Sequence, residues 1–125
     1  MSLTANPSPG YTFTGVVAAP LYLGDAGDLP IIGDWDGNGT DEIGIFRPST
    51  NAFYLRSSTG AVAAPVYLGD SGDHPIIGDW DGNGVDEIGI FRPSTNGFYL
   101  RTGTTVAAPT YLGDTGDKPV TGIWP

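Results

Sequence analysis

Residues Tyr22–Val66 return almost unchanged as Tyr67–Thr110. The alignment needs one gap, and 36 of its 44 pairs are identical. The departures are Ala26/Ser71, Leu29/His74, Thr40/Val85, Ala52/Gly97, Ser57/Thr102, Ser58/Gly103, Gly60/Thr105 and Val66/Thr110. A third copy opens at Tyr111, and Val17–Tyr22 already matches Val62–Tyr67 and Val106–Tyr111. A period near 45 residues is the mark of a supersecondary unit that buries its apolar face only against neighbouring copies. The chain therefore folds as a set of like units that must pack on one another.

Each unit divides into four short extended segments. Pro30–Gly33 enters an acidic loop, and Glu42–Arg47 leaves it with Ile43 and Ile45 on one face and Phe46 on the other. Pro48-Ser49-Thr50-Asn51 is a turn by the local chemistry of Pro, Ser and Asn. Ala52–Arg56 alternates again, and Val62–Leu68 is the fourth segment, where Pro65 cannot donate to a ladder and so marks an edge. No stretch sustains a 3.6-residue period, so no helix is expected. Gly or Pro occupies 31 of the 125 positions, a share that reads here as punctuation between strands. Four strands per 40–50 residues predicts an all-β chain of β-propeller blades, with a β-sandwich or solenoid as the competing arrangements. Gly44 and Gly89 are expected near a propeller axis, where converging blades leave no room for side chains.

The most informative segment is the loop Asp34-Trp35-Asp36-Gly37-Asn38-Gly39-Thr40-Asp41-Glu42, repeated at Asp79–Glu87 with Val85 for Thr40. Oxygen side chains stand at positions 1, 3, 5 and 9, and a glycine at 6 permits the bend that brings in a carbonyl from position 7. This is the pattern of a loop wrapped around a hard cation. All 14 acidic residues lie in the repeats, eight of them in these two loops. Carboxylates so crowded repel one another unless a cation neutralises them. A metal-free Asp/Asn/Gly turn is the plainer alternative. An EF-hand is disfavoured, because its bidentate Glu at position 12 is here Ile45 or Ile90.

The segment from Gly33 through Asp-Trp-Asp-Gly-Asn-Gly-Thr-Asp-Glu-Ile-Gly-Ile-Phe-Arg-Pro-Ser-Thr resembles the FG-GAP/VCBS-type repeat of bacterial surface proteins and integrin α-subunit propellers. The resemblance covers both full repeats. It implies Ca²⁺ held between the first and second strands of each blade. The implied ligands are Asp34, Asp36, Asn38, the Thr40 carbonyl and Glu42, then Asp79, Asp81, Asn83, the Val85 carbonyl and Glu87. Asn and Glu replace the usual Asp at positions 5 and 9. The third copy, Gly122-Ile123-Trp124-Pro125, lacks position 1, so two sites are expected.

Other motifs carry structural readings. Trp35 and Trp80 point away from the ligands and are expected between blades, with a sugar-stacking platform as the alternative. Asp28, Asp73 and Asp117 recur as Gly-Asp-x-Pro and are expected to cap their own turns. Arg47 and Arg92 are expected to pair with carboxylates. His74, the single histidine, replaces Leu29 and reads as a surface substitution. With no Cys, no Ser-centred elbow and no phosphate loop, no catalytic constellation emerges. The net charge of −9 and only five basic residues argue against a nucleic-acid partner. No apolar run is long enough for membrane insertion.

The organisation expected is a disordered segment at 1–10, a partial blade at 11–29, blades at 30–74 and 75–118, and a partial blade at 119–125. That is about 2.8 blades, whereas propellers close with roughly four to eight. Either the chain belongs to a longer array or a homo-oligomer completes the ring, with Lys118–Trp124 of one copy joining Tyr11–Gly24 of another. The functional expectation is a non-enzymatic Ca²⁺-binding module for protein or glycan at a bacterial-type cell surface, without a signal peptide in this chain. The alternative is a purely structural repeat segment of a larger secreted enzyme or adhesin.

Overall fold

A computed structural model describes residues 18–121. The expectations for 1–10, for Tyr11–Val17 and for Gly122–Pro125 lie outside these residues. Within them the chain is all-β, with two antiparallel sheets and no helix. The first sheet runs β1 (Leu29–Gly33), β2 (Glu42–Arg47), β3 (Ala52–Leu55) and β4 (Val66–Tyr67), each paired with the next. The second runs β5 (His74–Gly78), β6 (Glu87–Arg92) and β7 (Gly97–Thr102), with β8 (Thr105–Val106) and β9 (Thr110–Tyr111) both on the outer side of β7. The described residues close into no barrel or ring.

The segments read from alternation are strands, and the fourth is an edge, but it is broken. In the first sheet an isolated bridge joins Arg56 to Val62 before β4 begins at Val66. In the second sheet β8 and β9 are the same two pieces. Pro65 and Pro109 lie in the gaps, where a missing N–H interrupts the ladder. The β2–β3 and β6–β7 turns end at Asn51 and Asn96, whose φ angles of 56° and 58° place them in the left-handed region that Asn tolerates.

Register decides which residues share a face. Ile31 lies opposite Gly44, which lies opposite Leu55, while Phe46 lies opposite Phe53 and Phe53 opposite Val66. This face packs on the second sheet's Ile88 and Ile90, with Ile77 and Tyr99 beside them. Those four belong to the opposite face, since Ile77 pairs with Ile88 and Ile90 with Tyr99. The sheets thus stack front to back, with β1 and β5 nearest each other. Phe46 and Phe53 are fully buried, their rings 4.7 Å apart and tilted by 56°. Burying each contributes about 1.5–3 kcal/mol.

The strand glycines have a different cause from the one expected. A Cβ at Gly44 would meet the Tyr54 carbonyl at 2.7 Å and Ile31 at 3.1 Å, and Gly89 meets Tyr99 and Ile76 likewise. The crowding comes from the glycine's own sheet. The close approach between sheets falls instead at Gly33, where a Cβ would lie 2.9 Å from Ile77 and clash with the Trp35 ring.

Candidate metal centre

The Asp34–Glu42 loop joins β1 to β2, so the sheet fixes both of its ends. Its interior is organised by side-chain oxygens taking backbone N–H groups. Asp34 Oδ1 accepts from Gly37 at 2.8 Å and Asn38 at 3.1 Å, and Oδ2 accepts from Gly39 at 2.8 Å. Asp36 Oδ1 accepts from Asn38 at 3.1 Å, and Asn38 Oδ1 accepts from Thr40 at 2.8 Å. Such a coil needs φ of +75° at Gly37 and +87° at Gly39, which L side chains adopt only at a cost.

Glu42 closes the loop from below. Its Oε1 accepts the Trp35 N–H at 2.9 Å, while Oε2 is buried with no hydrogen-bond partner. Glu42 is 7% exposed. Carboxylate oxygens of Asp34, Asp36 and Glu42 lie within 4.8 Å of one another, an arrangement that can hold a metal ion. Burial, and then the charges of Asp36 and Asp34, push the Glu42 carboxyl above its usual range even though the Trp35 N–H opposes them. Burial also acts on Asp36, but donors from Ser58 and Asn38 outweigh it and keep that carboxyl low. The centre groups a buried, unpartnered carboxylate oxygen with the carboxylates of Asp34 and Asp36. An unneutralised group of that kind is costly.

The second loop repeats the hydrogen-bond pattern around a half-buried Glu87. Asp79 accepts from Gly82 at 2.8 Å, Asn83 at 3.0 Å and Gly84 at 2.8 Å. Those bonds, led by Gly84, lower its carboxyl against the opposing effect of burial. Glu87 Oε1 takes the Trp80 N–H at 2.8 Å, Asn83 Oδ1 takes the Val85 N–H at 2.8 Å, and Asp79, Asp81 and Glu87 again cluster within 4.8 Å. Glu87 is likewise raised by burial, opposed by the Trp80 N–H and reinforced by Asp81 and Asp79.

All ten residues expected at the sites are therefore in the two loops. The structure gathers the carboxylates, sets Asn38 and Asn83 beside them, and ties Thr40 and Val85 in through their N–H groups. Two participants were not anticipated. Ser58 Oγ donates to Asp36 Oδ2 at 2.9 Å, whereas the matching position of the second repeat is Gly103. The substitution was visible as one of the differences between repeats, but its proximity to the loop was not. The other is Asp86, whose carboxylate accepts the Asp34 N–H at 2.8 Å.

The remaining motifs are engaged in local contacts. Asp28, Asp73 and Asp117 each accept the N–H three residues back, from Asp25, Asp70 and Asp114, at 2.7 Å. Arg47 and Arg92 pair with Asp28 and Asp73 and stack over Tyr54 and Tyr99. Trp35 packs against the core, and Trp80 donates its Nε1–H to the Ile88 carbonyl at 3.1 Å.

Fold and site together define an all-β protein with two acidic loops, each able to hold a metal ion. No family model, curated protein or solved structure matches the chain.

Proposed function

We propose that the chain is a Ca²⁺-stabilised, non-enzymatic β-propeller module that binds protein or glycan at a cell surface. The observation that carries the metal half is Glu42, whose Oε2 is buried without a partner and whose carboxylate clusters with those of Asp34 and Asp36. A site of carboxylate, amide and carbonyl oxygens with no nitrogen or sulfur suits a hard cation. Calcium suits it better than magnesium, because a glycine-rich coil offers several protein oxygens in flexible geometry rather than a near-ideal octahedron completed by water. Extracellular calcium modules bind with Kd on the order of 10⁻⁴ to 10⁻³ M.

The blade reading rests on four-stranded meanders stacked front to back, with the first strand of each nearest its neighbour. Ring closure then calls for a homo-oligomer, two copies giving about six blades. The ligand half is supported by Tyr22, Tyr67 and Tyr111, equivalent rings exposed at 88%, 64% and 61%. The alternative, a purely structural segment of a larger secreted enzyme or adhesin, is favoured by Trp80 and Tyr99, whose rings are engaged in packing.

Thermal melting in Ca²⁺ against chelator tests the central claim. At about ten times Kd each site adds about 1.4 kcal/mol, so two filled sites raise Tm by about 10 °C. An unchanged Tm removes the metal assignment. Light scattering that gives a stable monomer removes the shared ring. A glycan array in Ca²⁺ with Tyr67→Ala separates a ligand-binding module from a structural one.

A further inference from the structure

The two loops meet where Gly37 lies against Val85 and where Asp34 lies against Asp86. Asp34, position 1 of the first loop, donates its N–H to Asp86 Oδ2 at 2.8 Å and accepts the Asp86 N–H on its carbonyl at 2.8 Å. The backbone of a candidate ligand is thus held from both sides by a residue 52 positions away. Asp86 is not among the cation-facing carboxylates of its own loop, although it sits between two of that loop's candidate ligands, Val85 and Glu87. Asp41 is the same residue in the first loop, but it is exposed and has no such partner among the described residues. The sequence therefore supplies its own control.

We infer that Asp86 is a positioning residue that couples the two cation sites, a reading that rests on the Ca²⁺ assignment above. A cation in the second loop immobilises Val85 and Glu87, and with them Asp86. Asp86 in turn fixes Asp34, whose carboxylate already gathers the Gly37, Asn38 and Gly39 N–H groups. Part of the ordering that the first site requires is then complete before its own ion arrives. Linkage makes the effect reciprocal, so each occupied loop tightens the other. The link crosses between the two sheets, so occupancy also bears on how firmly they are joined.

The experiment is a Ca²⁺ titration of the full chain followed by amide NMR, in which Gly39 and Gly84 report the two loops separately. The variants are Asp86→Ala, Asp86→Asn and Asp41→Ala. Asp86→Ala is expected to weaken binding at Gly39 by about fivefold or more, the lower end of usual coupling between sites. Asp41→Ala leaves both titrations where they were. Asp86→Asn keeps a carbonyl acceptor for the Asp34 N–H and recovers part of the loss, which also keeps the test open if the alanine variant does not fold. In the wild type, Glu87→Gln should weaken the Gly39 titration, and in the Asp86→Ala background it should not weaken it further. Equal titrations for Asp86→Ala and Asp41→Ala, with both loops still binding, overturn the coupling alone. Absence of any Ca²⁺ response in the wild type overturns the coupling together with the metal assignment.

Discussion

Arg92 holds Asp73 through two nitrogens, Nε to Oδ1 at 3.0 Å and Nη2 to Oδ2 at 2.8 Å. The same fork joins Arg47 to Asp28, and in both places the aspartate also caps its turn. One carboxylate thereby fastens the segment entering a sheet to the end of the sheet's second strand.

Asp73→Ala should destabilise the fold by about 2 kcal/mol, the usual value for charged hydrogen bonds lost from a buried acceptor. Arg92→Lys should show a smaller loss, because an ammonium keeps the charge but cannot form the planar fork. Urea unfolding of the three proteins gives the order directly.

Acid should act on the metal-free protein in two opposite ways. Hydrogen bonds from Arg47 hold Asp28 below its usual value of 3.8, so its contribution is complete above that pH and is lost as pH falls through the lower folded value. Glu42 is raised above 4.5, so the folded state favours its protonation, and stability is lost as pH rises through the folded value. In chelator the urea midpoint should therefore rise as pH drops from neutrality toward about 4.5, then fall below about 3.8. Glu42→Gln should shrink the first limb to the part that Glu87 carries, and Asp28→Asn should shrink the second to the part that Asp36 and Asp79 carry.

Glu42→Gln should also separate two consequences of the same carboxylate. It removes a charge facing Asp34 and Asp36, so in chelator the variant should melt no lower than the wild type. It also removes a cation ligand, so its gain from Ca²⁺ should shrink by about 1.4 kcal/mol, one site's worth. Paired melts with and without Ca²⁺ read both effects.

Gly44→Ala should cost about 2 kcal/mol through overpacking, since the added methyl meets a backbone carbonyl rather than the end of a flexible chain. Gly89→Ala should match it, because its surroundings are the same to within 0.1 Å. Calorimetry of both variants is the check.

Much of the strand order could be read directly from residues. Alternation in Glu42–Arg47 and Ala52–Leu55 needs only period two, and Pro65 marks the edge by lacking a donor. The loop was legible for a similar reason, since oxygen spacing and Gly39 are properties of one short segment. What escaped were relations between distant segments. The face of the second sheet that meets Phe46 and Phe53 depends on how like units stack, and alternation treats both faces as apolar. Gly44 looked like a neighbour's contact because crowding by a strand's own partner leaves the same signature in sequence. Asp86 looked like one more carboxylate of its own loop, and its bond to Asp34 exists only once two repeats lie side by side.

Front-to-back stacking has a consequence for how such a chain can change in length. The junction between the two sheets joins unlike faces of nearly identical units. Removing one whole unit, or copying one, would bring the same two faces together again. Repeat number can therefore vary by recombination within the gene without any new interface having to be invented, and each junction so formed inherits chemistry already tested in its neighbours.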